Sequence, residues 1–295
     1  MKRISSKLIL ALAAAVLMVW NVAADNVERK LPLGDYHSVV AQHGIEVVLS
    51  KRAGNQITIK ADTKIIDFIE VSTENGILSI GLKPMAQKRL VIRTPAVVTI
   101  PFNNNVRHIE ARTSADVRSE RPLTGERVTF VCSSSGRIMA AAKCREFRGH
   151  ATSSADLIAA VEAETCYMTA EASGDIKCSI SAQNSFLMAN SSGEIKAENR
   201  TKECCSLTAT SSGEIKLEGT ARTAVYTANS AGEIKAKDFY VGDATATATS
   251  AGEIELNFTY KLIATATSGG EIEYTGPGTD ITKKEIAGGS VTPLD

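Results

Sequence analysis

The sequence predicts an all-β chain: a single-stranded, right-handed parallel β-solenoid (β-helix) of about ten turns of ~19 residues, with an N-terminal β region capping it. Three observations carry the prediction. First, the phrase Ser191-Ser192-Gly193-Glu194-Ile195 returns as Ser211-Ser212-Gly213-Glu214-Ile215, Ser230-Ala231-Gly232-Glu233-Ile234 and Ser250-Ala251-Gly252-Glu253-Ile254. With the aliphatic residue as anchor, the phase runs through Val117, Ile138, Leu157, Ile176, Ile195, Ile215, Ile234, Ile254, Ile272 and Val291, in steps of 18 to 21 residues.

Second, each copy alternates with period two, as a strand does. Six residues before the anchor lie Ala111, Cys132, Ala151, Ala170, Ala189, Ala209, Ala228, Ala248 and Ala266, an inward column of small residues. Eight before it lie Ile109, Phe130, Met168, Leu187, Leu207 and Tyr226, a second inward column. The residue just before the anchor is acidic in every copy from Asp116 to Glu271 except Arg137, and the residue after it is Lys177, Lys196, Lys216 and Lys235, so these two columns face out. Third, Gly136, Gly174, Gly193, Gly213, Gly232, Gly252, Gly270 and Gly289 stand two before the anchor, where a corner needs a residue without Cβ. Ala115 and Ala155 take the same place in two copies, so a positive φ is not required there.

A copy alone exposes its inner face, and only stacking buries it. Ten turns at ~4.8 Å make a rod of about 45 to 50 Å, and crossovers between parallel strands are right-handed. An antiparallel sandwich would not keep equal residues in equal phase through ten copies.

Three segments follow in chain order. Residues 1–24 carry Lys2, Arg3 and Lys7, an apolar run from Leu8 to Trp20, and small residues at Val22-Ala23-Ala24, the pattern of a secretory signal peptide. The run is shorter than the ~20 residues that span a bilayer, no later segment is long and apolar enough, and no Cys follows it to take a lipid anchor. The mature chain is therefore expected to have no transmembrane segment and to be exported to the periplasm, cell surface or medium. Residues 25–104 read as unphased strands (Gly44 to Leu49, Gln56 to Lys60, Phe68 to Ser72, Gly76 to Leu82, Leu90 to Arg93, Val97 to Ile100), expected to cover the N-terminal end. Residues 105–292 are the solenoid. Its last copy places Lys283 and Glu285 in inward columns, as a polar terminal cap requires.

Composition narrows function. Basic and acidic residues number 33 each, and loss of the signal peptide removes three basic ones, leaving −3. Nucleic acid is not an expected partner of such a surface. Six Cys in an exported chain invite disulfides, yet Cys166 and Cys205 are two turns apart, beyond a disulfide's ~7 Å reach, and Cys132 and Cys178 fall in inward columns. Buried free thiols are expected.

Tyr36-His37-Ser38-Val39, His43-Gly44-Ile45-Glu46-Val47, Val97-Val98-Thr99-Ile100-Pro101, the reiterated Ser-Ser-Gly-Glu-Ile and Tyr274-Thr275-Gly276-Pro277-Gly278 together resemble the head GIN domain family of exported bacterial proteins, over residues 35 to 292. The resemblance implies a β-solenoid, frequent in the Bacteroidota, carrying an adhesin label and no established enzymatic activity.

Candidate chemistry lies on the outward columns. The acidic and lysine columns read either as a recognition surface or as mutual neutralisation, the reading favoured here. Arg137, between Asp116 and Asp156, is the one feature that suggests a carbohydrate lyase or hydrolase; a plain Arg bridge is the simpler account, and no nucleophile–base pair involves His37, His43, His108 or His150. Outward Thr pairs (Thr208 and Thr210, Thr247 and Thr249, Thr265 and Thr267) raise ice binding but are also good β formers. Phe239, Tyr240, Phe258 and Tyr260 are expected to pack on the third side of the coil, with Tyr240 and Tyr260 in one phase, rather than to stack on sugars.

At Glu253, Glu255, Glu271 and Glu273 four carboxylates crowd two adjacent turns, a candidate weak Ca²⁺ site and otherwise a solvated acidic edge. No catalytic residue and no other cofactor is expected. The functional expectation is an exported, non-enzymatic solenoid that binds a surface glycan or protein, or associates with its own kind; the alternatives are a carbohydrate-active enzyme and an envelope-signalling accessory protein.

Overall fold

In the computed structural model, which describes residues 26–84 and 95–294, the period-two alternation becomes a ladder of strands. The signal peptide and the strand expected at Leu90 to Arg93 lie outside the described residues. The N-terminal strands are β1 (Asn26–Pro32), β2 (Ser38–Ala41), β3 (Glu46–Ser50), β4 (Gln56–Asp62), β5 (Ile69–Glu74), β6 (Ile77–Leu82) and β7 (Val97–Pro101). The solenoid continues with β8 (His108–Arg112), β9 (Asp116–Ser119), β10 (Leu123–Ser133), β11 (Arg137–Thr152), β12 (Asp156–Glu171), β13 (Asp175–Asn190) and β14 (Glu194–Thr210). It ends with β15 (Glu214–Asn229), β16 (Glu233–Thr249), β17 (Glu253–Thr267), β18 (Glu271–Thr275), β19 (Asp280–Ile286) and β20 (Ser290–Pro293).

From β8 onward the pairings are parallel, and equal phase meets equal phase. Val117 pairs with Ile138, Ile138 with Leu157, and so on through every anchor to Val291. All ten anchors are buried, as is the alanine column from Ala111 to Ala266. A coil is one long bent strand closed by one sharp corner, and its apolar inner face is covered only by its neighbours in the stack. The fold is a parallel β-solenoid of about ten turns.

The corner explains the repeated phrase. In the coil ending at Thr210, Ser211 and Ser212 have φ of 51° and 62°, and the Gly213 N–H donates back to Thr210 O at 2.9 Å. Two left-handed residues closed by that bond make a type I′ turn. The same geometry recurs at Ser191 and Ser192, Ser230 and Ala231, and Ser250 and Ala251. Positive φ thus falls on the serines and alanines, residues that pay for it, and not on the glycine that follows. What holds them is the stack: Ser192 N–H donates to Ser211 O, Ser212 N–H to Ser230 O, and Ala231 N–H to Ser250 O. The glycine serves close approach instead, since a Cβ on Gly193 would lie 2.2 Å from Ala170 O of the preceding coil.

Unequal repeat lengths are absorbed on the third side of the coil. The longer step from Ile195 to Ile215 coincides with a register shift between Arg200 and Cys204, and that from Ile234 to Ile254 with shifts between Ala236 and Tyr240 and between Val241 and Asp243. Strands β11 to β17 therefore keep their two main faces in register.

The stack also starts earlier than Val117. β2 and β3 pair in parallel with β8 and β9, placing Ala41 against Ala111 and Val47 against Val117, and His43 and Gly44 form the left-handed corner between them (φ 65° and 70°). β6 and β7 lie on the far side of β2 and β3, with Ile80 against Ala41 and Val98 against Val47. The segment 25–104 thus adds two coils whose spatial order differs from chain order. Antiparallel partners then flank this end, β5 on β6 and β4 on β7, with β1 outside β4. At the other end Lys283 and Glu285 stand opposite Ala264 and Ala266. Lys283 Nζ donates to Val291 O at 2.9 Å, and Glu285 accepts the Val291 N–H at 2.6 Å, so a polar lid closes the core.

Candidate functional site

Two lateral faces are regular enough to act as surfaces. On the charged face, formed by the residues flanking the anchors, Lys196 pairs with Glu194, Lys216 with Glu194 and Glu214, and Lys235 with Glu214 and Glu233. Hydrogen bonds from Lys216 first, then Lys235, hold the Glu214 carboxyl below its ordinary range. The columns neutralise each other in an exposed ladder, where one pair contributes ~0–1 kcal/mol.

Arg137 is part of the same pattern. Its guanidinium donates to Asp156 Oδ2 from Nη2 and Nε, at 2.7 and 3.1 Å, and lies 4.0 Å from Asp116 on the coil before. His108 and His150 point outward beside Glu110 and Glu171, at 3.7 and 3.6 Å. The four residues Glu253, Glu255, Glu271 and Glu273 fall where the phase puts them, Glu253 against Glu271 and Glu255 against Glu273. Burial first, and then the charges of Glu233, Glu271 and Glu255, raise the Glu253 carboxyl. Among the described residues, no group of three or more His, Cys, Asp or Glu is placed to hold a metal ion.

The second face is formed by the outward residues of the C-terminal half of each long strand. One column reads Tyr167, Phe186, Ser206, Val225, Thr245, Ile263, and the next reads Thr169, Met188, Thr208, Thr227, Thr247, Thr265. A third, beside the corners, reads Asn190, Thr210, Asn229, Thr249, Thr267. From the coil of Phe186 to that of Ile263 none of these positions is charged.

Apolar side chains stand out of this face: Phe186 is 39% exposed, Met188 44%, Val225 40% and Ile263 41%. Tyr167 and Phe186 stack with centroids 4.9 Å apart and planes 12° from parallel, and the Arg148 guanidinium lies 5.1 Å from the far side of the pile at Tyr167. The third column satisfies itself, Thr210 and Thr249 donating to Asn190 and Asn229. The hydroxyls of Ser206, Thr208, Thr227, Thr247 and Thr265 have no hydrogen-bond partner among the described residues. A cleft of about 150 Å³ runs between the first two columns, from Tyr167 and Thr169 to Ser206 and Thr208. A wider, open hollow of about 510 Å³ at the N-terminal end, around Tyr36 and Asn103, is lined by loops.

The aromatic expectation needs correction. Phe239 and Phe258 are buried on the third side, whereas Tyr240 and Tyr260 are 55% and 70% exposed. The register shifts break their shared phase: Tyr240 pairs with Asn257, and Tyr260 lies over Gly242. Repeat spacing did hold the useful signal, because Arg148, Tyr167 and Phe186 recur at 19-residue intervals in one outward column.

All six cysteines are free. Burial raises Cys132, Cys178 and Cys205 to about 12 and Cys144 to about 11. Cys205 belongs to a buried polar knot in which Asn199 donates to Ser185 at 2.9 Å and to the sulfur at 3.3 Å, and accepts from Thr201 at 2.8 Å.

Fold and surface define a repeat-built β-solenoid with two regular lateral faces, one ion-paired and one uncharged. The chain belongs to the family described as "Putative auto-transporter adhesin, head GIN domain", whose model matches residues 35–196 and 176–278. Among solved structures, it is similar to "a putative adhesin" from Parabacteroides merdae, with 15% identity, TM-score 0.49, 92% of this chain and 96% of that one covered. A "Putative lipid binding protein" from Parabacteroides distasonis shares 21% identity, TM-score 0.46, over 92% and 97% of the two chains. A "putative adhesin" from the same species shares 18%, TM-score 0.45, over 92% and 98%. No curated protein matches the chain. Among the described residues no helix is long and apolar enough to cross a membrane.

Proposed function

We propose that the chain is an exported, non-enzymatic binding protein of the periplasm or cell surface, which uses its uncharged lateral face to hold a surface glycan or protein. The observation that carries the reading is the face itself: a strip of hydroxyls and aliphatic side chains with the Phe186 ring, whose three columns carry no charge over five coils. Contiguous exposed apolar surface on a soluble fold marks interaction sites. Membership of an adhesin-head family supports a binding role, and the N-terminal Lys-rich, apolar, small-residue pattern supports export.

The test is an array of glycans and envelope proteins probed with the mature chain, the Thr247→Glu variant and the Lys216→Glu variant. Binding lost with Thr247→Glu and kept with Lys216→Glu is expected. Turnover of a polysaccharide that Arg137→Ala abolishes would replace this reading with the enzymatic one.

A further inference from the structure

Resting on the binding role proposed above, we infer that the ligand is a linear neutral glycan, lying parallel to the solenoid axis in the groove between the Tyr167 and Thr169 columns, one sugar to each coil. The groove has two chemically different walls. One presents Tyr167, Phe186, Val225 and Ile263, interrupted by Ser206 and Thr245, and the other Thr208, Thr227, Thr247 and Thr265, with Met188 inserted near its start. A pyranose has the matching division: apolar C–H faces that pack on rings and aliphatic groups, and hydroxyls that donate and accept at its edge. Threonine hydroxyls do both as well, and those of this wall are free of protein partners.

Spacing gives the second argument. Coils repeat at ~4.8 Å, close to the advance of one residue in an extended β-linked glycan, so successive sugars meet equivalent positions on successive coils. A peptide strand in the groove would advance by ~3.3 Å per residue and fall out of step. Charge gives the third. The two columns that wall the groove carry no charged residue from Phe186 to Ile263, Asp243 and Lys261 standing outside the first column near its end, whereas the ladder of Lys and Glu beyond the corners would present both signs to a chain that strayed sideways. A cleft is already present on this track beside Phe186 and Met188.

Titration calorimetry with cello-, xylo- and manno-oligosaccharides of two to six sugars tests this. Affinity in at least one series is expected to climb with each sugar up to the hexamer, and to exceed that of oligogalacturonates of equal length. Phe186→Ala should weaken hexamer binding about tenfold, Thr227→Arg should abolish it by placing bulk and charge midway along the track, and Lys216→Glu should leave it unchanged. Both track positions face solvent, and melting curves of the variants check that they fold.

Three outcomes overturn the inference: no binding in any neutral series, affinity independent of length, or tighter binding of the oligogalacturonates. Sedimentation of a concentration-dependent dimer that Thr227→Arg dissolves, without oligosaccharide binding, would make the face a self-interface instead. Array binding that Thr247→Glu still abolishes, with every neutral oligosaccharide silent, would sink the glycan and leave the binding role standing. Array binding indifferent to Thr247→Glu would remove both.

Discussion

Gly213 sits against the carbonyl of Ala189 one coil below, and a Cβ added to it would lie 2.3 Å from that oxygen. The contact joins two backbones, so no side-chain rotation relieves it. Gly213→Ala is expected to destabilise by about 2–3 kcal/mol, read as a lowered urea midpoint. The residue before it behaves oppositely. Ser212 has φ 62°, and Ser212→Gly would release ~1–2 kcal/mol of left-handed strain while adding ~0.4–1 kcal/mol of unfolded-state entropy. A net gain of about 0–1.6 kcal/mol is expected. A loss at Ser212→Gly as large as that at Gly213→Ala would contradict the left-handed strain assigned to Ser212.

The thiols provide a test of burial. In the native protein at pH 8, Ellman's reagent should meet one or two accessible sulfurs quickly, Cys204 foremost, since Cys132, Cys166, Cys178 and Cys205 are buried. Unfolding in guanidinium without reductant should then release all six. Thiol counts of four or fewer after unfolding would reveal disulfides and contradict the register that keeps Cys166 and Cys205 two coils apart.

The stack was legible because its physics is one-dimensional: a phased anchor and an alanine column fix which face is inside, and the Glu-Ile-Lys phrase fixes which charges meet. Three things were less legible. Ser-Ser and Ser-Ala are poor formers of left-handed turns, so their positive φ is visible only once the corner-to-corner hydrogen bonds are seen. His43-Gly44-Ile45-Glu46-Val47 carries the corner phrase with Ile in the glycine's place, and its nearest phased neighbour in space, Val117, is 70 residues away, which hides the first coils from a search for short periods. Tyr240 and Tyr260 defeat counting because bulges between Ala236 and Asp243 change the register there. The uncharged face was written in the sequence as Thr pairs, but its aromatic start at Tyr167 and Phe186 lies where threonine is interrupted.

Acid should act through Glu110. Its contact with His108, followed by the hydrogen bond it accepts from Arg112, lowers the carboxyl to about 2. A carboxyl lowered on folding contributes stability above its ordinary value of 4.5, and this is lost as pH falls from there toward about 2. Glu110→Gln should therefore melt below wild type at pH 7 and converge with it at pH 2. Glu253 has the opposite sign, because its raised carboxyl favours the protonated form in the folded state. Glu253→Gln should melt above wild type at pH 7, and the difference should shrink as pH falls through the raised value, above 4.5. Identical pH profiles for the two variants would contradict both assignments.

The lysine column ends at Lys235, which pairs in register with Glu255, and Glu255 pairs in turn with Glu273. Beyond that point both outward columns of two coils are acidic, with coils ~4.8 Å apart and alternate residues of a strand ~6.8 Å apart. Like charges opposite each other destabilise a sheet by about the amount that opposite pairs stabilise it, ~0.2–1 kcal/mol. Glu255→Lys with Glu273→Lys would continue the ladder, giving Glu253 and Glu271 the partners that Glu214 and Glu233 already have in Lys216 and Lys235. The double variant is expected to raise the melting temperature by a few degrees at low ionic strength, with the gain shrinking in salt. Ca²⁺ is the competing account of the same residues, because it takes six to eight oxygens in irregular geometry. With no set of three ligands arranged for a metal among the described residues, millimolar Ca²⁺ is expected to leave wild-type melting unchanged beyond what equal ionic strength of NaCl does. A rise specific to Ca²⁺, lost in the double variant, would make Glu253, Glu255, Glu271 and Glu273 a cation site and would show that the acidic columns persist there to bind it.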